Sequence, residues 1–301
     1  MTVGTIVPVH GPAPWLPEAL ASAAEQDPPP ERIVVVDDGS PQPVDDGSPV
    51  AAAVLRRNER GGPAAARESG RQAVRDCQLI ALLDADDAWE PGSLAAHVDA
   101  LDIHPEAALS FGRPLRVDED GRPTGERWPA PAAGPQDRAE LARFLFRVNP
   151  IASSAVVLRA AALEAAGGFA SEHEPAEDYD LWLRLLGRGA TFVHTPAAVT
   201  RVRRRPDSLS ADVARLAEEK LRVQERHQAL VEPAVARAAR ADLLRARAQG
   251  LITRREYGSA RAALAEAAKL EPLPARLRVK AATTHVPLLR AALGRRAPYA
   301  E

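Results

Sequence analysis

Short apolar runs alternate with amphipathic segments along the front part of the chain. Apolar residues at helical spacing cover 15–23, Pro63–Arg75 and Pro91–Leu101, which predicts helices there. Strands that alternate with helices of this length are typical of a parallel sheet covered on both faces. We therefore predict an α/β fold with a mainly parallel, Rossmann-like sheet sandwiched by helices. The strands are predicted at Thr2–Val9, Arg32–Asp37, Ala51–Arg56 and Leu79–Leu83.

The pattern continues less regularly up to residue 210. Residues 118–137 are rich in proline, glycine and charge, and they are interpreted as a long loop. Predicted elements are a helix over Gln136–Arg147, a strand over Ala155–Leu158, a helix starting near Glu177, and strands over Thr191–Val193 and Ala197–Val202.

The tail, residues 211–301, has a different character from the front part. Its segments are rich in alanine, leucine and arginine at helical spacing, with proline and glycine between them. The sequence thus divides into a domain over 1–210 and an α-helical extension over 211–301. The four predicted helices are Ala211–Leu230, Ala234–Ala248, Glu256–Leu270 and Ala275–Leu293, and the second and third are candidates for a helical hairpin.

The charged residues are also distributed unequally between the front part and the tail. The tail holds 18 Lys and Arg against 10 Asp and Glu, which leaves 21 basic and 31 acidic residues in the front part. A basic tail can attract an anionic membrane surface or an acidic partner, and it can equally be a solvated helical surface. We expect either peripheral membrane contact or a homo-oligomer through these helices, and no nucleic-acid partner.

Composition sets further bounds. Cys77 is the only cysteine, so an internal disulfide is excluded and a reducing cytoplasm is expected. The first residues lack the basic and apolar segments of a secretory signal, and no run of about 18 apolar residues predicts a membrane span. We therefore expect a cytoplasmic protein, with attachment at the inner face of the membrane left open.

Acidic residues cluster where two of the predicted strands end. Asp84-Ala85-Asp86-Asp87 follows one strand, and Asp37-Asp38 closes another. The carboxyl ends of parallel strands form the usual ligand site of such a sheet. Carboxylates held together repel each other, and a divalent cation is the common compensation. Ordinary turns and helix caps remain the alternative reading of these acids.

Three other polar segments need interpretation, and two of them have competing interpretations. The stretch Arg60–Arg67 is glycine-rich and precedes a helix, so it either presents N–H groups to a phosphate or is a plain loop-to-helix junction. Asp45–Pro49 repeats Asp37–Pro41 without a preceding strand and is interpreted as a surface loop. The acids Glu177, Asp178 and Asp180 either cap a helix or supply a base at the mouth of a site.

Taken in order, these motifs resemble the family 2 glycosyltransferases, which have the A-type glycosyltransferase fold and use nucleotide sugars. The resemblance covers roughly residues 2–210, and its motifs are specific as an ordered set. They are Thr5–His10, Val36–Ser40, Gly62–Arg67, the DXD-type Asp84–Asp87, Asn149–Ile151, Gly167–Phe169 and Glu177–Trp182.

For the donor, the resemblance implies a nucleoside-diphosphate sugar, with a UDP-sugar favoured. Its nucleotide would be lined by Pro8, His10, Asp37 and Asp38, and Arg67 would lie near the nucleotide or diphosphate. Asp84 would approach the ribose or the metal, and Asp86 would bind Mn²⁺ or Mg²⁺ bridging the diphosphate. His10-Gly11 stands where relatives commonly carry an aromatic residue and Asn, so base stacking and nucleotide preference stay open.

For the acceptor, the resemblance implies an inverting hexosyltransferase in which Asp178 is the general base. The acceptor would be a glycan, a lipid-linked molecule, a protein or a small molecule. The biosynthesis of glycans, cell-surface polysaccharide or a glycosylated natural product would use such a reaction. Arg201–Ser210 corresponds to a part of the family that often forms a mobile flap.

Two alternatives stay beside this interpretation. The first is a binding protein of the same fold without transfer activity. It would be expected to have lost Asp86 or Asp178, and both are present. A sugar nucleotidyltransferase predicts a glycine-rich signature with a basic residue directly after the first strand. Here that strand leads into His10–Pro14, which contains no Lys or Arg. The lone His194 is interpreted as structural rather than as a metal ligand, although a place in the metal site is left open.

Overall fold

The structure is a computed structural model that describes residues 1–44, 52–206, 208 and 211–272. The chain divides into two compact units, Met1–Arg205 and Pro206–Glu301. The second Asp-Asp-Gly copy at Asp45–Pro49 and the helix predicted over Ala275–Leu293 lie outside the described residues.

The first unit alternates strands and helices along most of its length. Its strands are β1 (Val3–Val9), β2 (Arg32–Asp37), β3 (Ala53–Arg56), β4 (Leu79–Leu82), β5 (Ala88–Trp89), β6 (Ala107–Val117), β7 (Gly134–Pro135), β8 (Val156–Arg159) and β9 (Thr191–Arg203). Its helices are α1 (Leu16–Ala24), α2 (Gly62–Ala73), α3 (Ser93–Ile103), α4 (Arg138–Arg147), α5 (Ala160–Ala165) and α6 (Glu177–Gly187).

The strands form one mixed sheet in the order β3-β2-β1-β4-β8-β6-β9-β5, with β7 paired to β9. β1 pairs in parallel with β2 and β4, and β2 pairs in parallel with β3. β8 runs antiparallel to both β4 and β6, whereas β6 and β9 are parallel. The predicted α/β class, a mainly parallel sheet covered by helices, is confirmed.

The core lies between the sheet and its helices because the central strands are apolar on both faces. Val7 and Val35 pack with Leu16 and Leu20 of α1 in one buried cluster. On α2, an added Cβ at Gly70 would come 2.5 Å from Ile6 Cγ2. Only a residue without a side chain lets α2 lie this close to β1, and that contact sets the height of the helix over the sheet.

Four strands differ from the sequence prediction, and one of them is β7, which lies within residues 118–137 that were interpreted as a loop. β5 and β6 were not predicted; Gly112 and Pro114 interrupt the apolar pattern of β6, and both are unfavourable in strand interiors. β9 is one strand where two were predicted, since it continues through His194–Pro196. A shift of register against β6 between Phe111 and Arg113 accommodates this passage.

The described part of the second unit contains three helices, α7 (Val213–His227), α8 (Pro233–Thr253) and α9 (Tyr257–Leu270). α8 contacts both α7 and α9. Small apolar side chains such as Ala214 and Ala260 pack with Leu251 and Ile252. Within the described residues, no helix combines the length and the apolarity that crossing a bilayer requires.

Candidate active site

The polar strand ends meet at one edge of the sheet because β1, β2 and β4 are parallel neighbours. Val9 of β1 is in register with Asp37 of β2, and Ile6 is in register with Leu82 at the end of β4. His10, Asp37-Asp38 and Asp84–Asp87 therefore follow the same ends of adjacent strands. The two acidic motifs share the edge at which the sequence predicted a site.

Asp37 organises the turn that follows β2. Its carboxylate accepts hydrogen bonds from the N–H of Ser40 at 2.9 Å and of Val44 at 3.3 Å, and Arg56 lies 3.4 Å away. Burial opposes ionisation, but these hydrogen bonds outweigh it and hold the pKa of Asp37 below its ordinary value. The neighbouring His10 places Nδ1 3.0 Å from the Asp38 carbonyl oxygen, which ties the end of β1 to this turn.

Asp38 holds the glycine-rich loop before α2. Its carboxylate accepts from the N–H of Gly61 at 3.0 Å and of Gly62 at 2.7 Å, and it contacts Arg57 Nε at 2.8 Å. Glu174 Oε1 accepts from the N–H of Ala64 at 3.1 Å. The N–H groups of Gly61, Gly62 and Ala64 thus already donate hydrogen bonds to protein carboxylates, which are commonly found at helix starts. This geometry favours the loop-to-helix junction over a phosphate loop at this segment.

Arg67 bridges two parts of the edge that lie far apart in the chain. Its side chain is only 4 % exposed, with Nη1 2.8 Å from Glu177 Oε1 and Nη2 2.8 Å from Asp84 Oδ1. Although burial disfavours the cation, the two carboxylates raise the pKa of Arg67, so it stays charged. Burial raises the pKa of Glu177 to about 7, and Asp178 adds to the rise, although Arg67 opposes it.

The three acids after β4 lie in different surroundings. Asp87 is buried and accepts from Ser154 Oγ at 2.5 Å and from the Arg203 N–H at 2.9 Å. Burial, reinforced by Asp86 and Asp84, raises the pKa of Asp87 well above its ordinary value. Asp84 is about one-third exposed (34 %), and Asp86 contacts Arg205 Nε at 3.0 Å. Asp84 and Asp86 are therefore the accessible members of the group.

Asp84 and Asp86 suit a divalent cation that a bound diphosphate would share. Among the residues that the structure describes, no group of three or more His, Cys, Asp or Glu is placed to hold a metal by itself. Mg²⁺ in nucleotide sites, however, takes only one or two carboxylates and completes its shell with phosphates and water. Burial and the charge of Asp84 raise the pKa of Asp86, and a cation would relieve this repulsion.

His194 lies in a separate environment. Its ring stacks on Phe111 at 4.9 Å between centroids, and its Nδ1 is 3.3 Å from the Ala132 carbonyl oxygen. The ring is buried, and this burial lowers its pKa. These contacts fit the structural interpretation of His194.

The three acids at the start of α6 have separate contacts. Asp180 is buried and pairs with Arg184 at 2.6 Å, and Glu177 pairs with Arg67 as described above. Asp178 is partly exposed, and its Oδ2 accepts a hydrogen bond from Ser153 Oγ at 3.0 Å. Among the described residues, no basic side chain is a direct hydrogen-bond partner of Asp178, so it is the acid of this motif best suited to accept a proton from a ligand.

The basic segment at the end of β9 lies over the acidic edge. The Arg203 guanidinium donates to the Asp86 carbonyl oxygen at 3.0 Å and to Glu18 at 2.6 Å. The guanidinium carbons of Arg203 and Arg205 lie 5.2 and 5.4 Å from the centroid of the Trp15 ring. The start of the predicted flap is thus anchored beside Asp86, whereas residues 207, 209 and 210 lie outside the described part.

Several residues of this region were not identified from the sequence. The sequence patterns singled out none of four residues that form hydrogen bonds or ion pairs here, namely Arg57, Ser153, Ser154 and Glu174. Their partners lie between 19 and 110 positions away in the chain. A single sequence carries no signal for such pairs, because side-chain type alone does not reveal which distant group a hydroxyl or carboxylate meets.

The sequence model of the family described as glycosyl transferase family 2 matches residues 5–163. The amylovoran biosynthesis glycosyltransferase AmsE of Erwinia amylovora is 27 % identical over 132 residues, which are 44 % of this chain and 47 % of that protein. The uncharacterized protein y4gI of Sinorhizobium fredii is 30 % identical over 135 residues, 45 % of this chain and 14 % of that protein. The chain thus spans less than half the length of these curated relatives.

Solved structures share the fold at low sequence identity. S. aureus TarS 1–349 in complex with UDP-GlcNAc has a TM-score of 0.62 and 18 % identity, covering 98 % of this chain and 88 % of that one. The mannosyltransferase PcManGT from Pyrobaculum calidifontis, in complex with GDP-Man and Mn²⁺, has a TM-score of 0.58 and 22 % identity. That match covers 97 % of this chain and 82 % of the mannosyltransferase chain.

Proposed function

The chain belongs to glycosyl transferase family 2, and on this premise we propose that it moves a sugar from a nucleoside-diphosphate sugar to an acceptor hydroxyl. The observation that carries the proposal is the bridge made by Arg67. This buried cation joins Asp84, at the acidic strand end, to Glu177, which directly precedes Asp178. A site for a leaving diphosphate and a candidate base are thereby parts of one charged network.

The nucleotide of the donor is proposed to lie across the ends of β1 and β2, near Pro8, His10, Asp37 and Asp38. The turn hydrogen bonds of both aspartates support this assignment, because they give the pocket wall a fixed shape before a ligand arrives. UDP-GlcNAc and GDP-Man, bound by the two structural neighbours, define the donor class to test first. A UDP-sugar stays the favoured donor.

Asp84 and Asp86 are proposed to hold Mn²⁺ or Mg²⁺ at the diphosphate. Their accessibility and the raised pKa of Asp86 support this role, and so does the Mn²⁺ bound by the mannosyltransferase neighbour. The cation, when bound, offsets negative charge on the departing nucleoside diphosphate. Arg67 keeps its own charge beside Asp84 and is proposed to hold that carboxylate in place near the diphosphate.

Asp178 is proposed as the general base of an inverting displacement. Its carboxylate accepts the proton of the acceptor hydroxyl while that oxygen forms a bond to the anomeric carbon. The bond from this carbon to the diphosphate oxygen breaks on the opposite face, and its electron pair leaves with the nucleoside diphosphate. No covalent sugar–enzyme intermediate forms, and the configuration of the sugar is inverted.

For the whole protein, we propose that residues 1–210 carry this reaction and that 211–301 are a basic helical extension. The acceptor class is proposed to be a hydroxyl of a glycan, a lipid-linked molecule, a protein or a natural product. The similarity to an amylovoran biosynthesis glycosyltransferase supports a biosynthetic role for this transfer.

The test is a panel of UDP, GDP, UDP-GlcNAc and GDP-Man, measured by calorimetry with Mn²⁺, with Mg²⁺ and with a chelator, followed by product analysis. We expect metal-dependent binding and release of a nucleoside diphosphate from one donor. Release of pyrophosphate in a parallel assay with a nucleoside triphosphate and a sugar 1-phosphate would instead indicate a nucleotidyltransferase. Binding without any sugar loss, across a range of hydroxyl acceptors, would indicate a binding protein of the same fold.

A further inference from the structure

Two adjacent serines before β8 hydrogen-bond to opposite sides of the proposed site. Ser153 Oγ donates to Asp178 Oδ2 at 3.0 Å. Ser154 Oγ donates to Asp87 Oδ2 at 2.5 Å and accepts from the N–H of Asp84 at 3.0 Å. These two serines, which adjoin in the chain, therefore connect the first turn of α6 with the carboxyl end of β4.

The serine pair is itself held firmly. Ser153 and Ser154 are 9 % and 1 % exposed, and they belong to a short 3₁₀ turn that leads directly into β8. The Ser154 carbonyl oxygen accepts from Trp89 Nε1 at 2.8 Å and from Thr200 Oγ1 at 3.3 Å. These donors come from β5 and β9, so the position of the pair is fixed by the sheet rather than by a loose loop.

We propose that Ser153 and Ser154 are positioning residues for the transfer reaction, an inference that rests on the proposed function. Ser153 orients the Asp178 carboxylate toward the acceptor hydroxyl. Ser154 braces the acidic strand end that carries Asp84 and Asp87. One rigid dipeptide thus sets the separation between the base and the leaving diphosphate.

The contacts of Asp178 explain why one hydroxyl has this effect. Oδ1 accepts from the Tyr179 N–H at 2.6 Å, and Oδ2 accepts from Ser153. Two donors on two oxygens fix the plane of the carboxylate and leave lone pairs free for the acceptor. Arg67 and Glu177 interact electrostatically with Asp178, and the contacts of the described residues include no hydrogen bond from either side chain to its carboxylate. They set the local charge, whereas Ser153 sets the direction.

The first test compares Ser153→Ala, Ser153→Thr and Ser154→Ala, with Ser110→Ala as the control. Ser110 is also buried, but it hydrogen-bonds to His97 and Thr195 instead. For Ser153→Ala we expect kcat to fall roughly 10- to 100-fold through lost orientation. The donor KM and the Kd for UDP or GDP with Mn²⁺ should stay within about twofold. Ser153→Thr retains the hydroxyl and should restore most of the lost kcat.

For Ser154→Ala we expect the opposite pattern, in which ligand binding changes rather than kcat. This substitution removes the hydroxyl that donates to Asp87 and accepts from the Asp84 N–H, so the Kd for Mn²⁺ with UDP or GDP should rise about tenfold or more. Ser110→Ala should change neither kcat nor this Kd. A Ser153→Ala enzyme with the kcat of the Ser110→Ala control, or the same kinetic profile for both serine variants, would overturn the proposal.

A second measurement separates this inference from the proposed function. If the unsubstituted protein neither binds UDP or GDP nor releases them from UDP-GlcNAc or GDP-Man, the proposed function fails. The link is then tested by unfolding Ser153→Ala, Asp178→Ala and the double variant. Non-additive changes in the unfolding free energy would support the Ser153–Asp178 link, and additive changes would refute it.

Discussion

At the residue scale, neighbouring acids of one motif differ because of what each one contacts. Glu177 and Asp180 are buried against Arg67 and Arg184, whereas Asp178 is partly exposed beside a hydroxyl. The same division separates buried Asp87 from Asp84 and Asp86. The sequence predicts that each cluster contains functional acids, but burial and partners distinguish the accessible carboxylates from the structural ones.

Substituting Asp178 by Asn tests its role as the base. The amide keeps the size of the side chain but cannot take a proton, so kcat should fall roughly 10²- to 10⁴-fold. Nucleotide binding, measured by calorimetry, should stay unchanged. Asp120→Asn, on an exposed loop, is the matched control. Turnover in Asp178→Asn at the rate of this control would remove Asp178 from the base role.

Substituting Asp86 by Asn tests the cation assignment. Losing one charged ligand should weaken Mn²⁺-dependent nucleotide binding by roughly 10- to 100-fold, equivalent to about 1.4–2.8 kcal/mol. Calorimetry of UDP and GDP with Mn²⁺ and with a chelator measures this difference. The cation assignment is wrong if the substituted protein retains the full Mn²⁺ dependence of the unsubstituted one.

At the element scale, the sequence predicts those strands and helices whose formation depends on a local pattern of residues. Continuous apolar runs predicted β1, β2 and β4, and apolar residues at helical spacing predicted α1 and α2. β5 and β6 were missed because their stability comes from pairing with distant strands rather than from their own pattern. The site followed the same rule: the strand ends were predictable, but the contacts of Arg67, Ser153 and Ser154 were not.

The packing of α2 on β1 gives a prediction at this scale. Gly70→Ala would place a methyl group 2.5 Å from Ile6 Cγ2, so we expect a loss of about 1–3 kcal/mol in unfolding free energy. Gly258→Ala on α9 is the control, because an added Cβ there meets nothing within 4 Å. Without a clash, alanine should stabilise that helix by up to about 1 kcal/mol. Urea denaturation of both variants measures the contrast, and equal shifts would contradict the close approach.

At the scale of the whole molecule, Glu177 links pH to stability. Its pKa rises from an ordinary value of 4.5 to about 7, mainly through burial. Between these values the folded protein holds a proton that the unfolded chain has released. The contribution of Glu177 to the unfolding free energy is therefore fully present below about pH 4.5 and is lost as the pH rises through about 7.

Glu177→Gln should remove this slope, because the amide does not titrate. Chemical denaturation at several pH values from 5 to 8 is compared for the unsubstituted protein, Glu177→Gln and a control at exposed Glu31. We expect the Glu177 variant to lose less stability over this range, and the Glu31→Gln control to follow the unsubstituted protein. An unchanged pH slope in Glu177→Gln would show that this carboxyl does not titrate as described.

The contact between Arg205 and Asp86 has a consequence for how ligands enter. The guanidinium lies 3.0 Å from the carboxylate oxygen that a cation would coordinate. Under the proposed cation assignment, loading of the site is an ion exchange, in which a mobile divalent ion would take the place of the tethered Arg205 cation. The arginine released by this exchange adds a positive charge beside the incoming diphosphate. Metal and nucleotide should consequently bind with positive cooperativity, so that each increases the affinity of the site for the other.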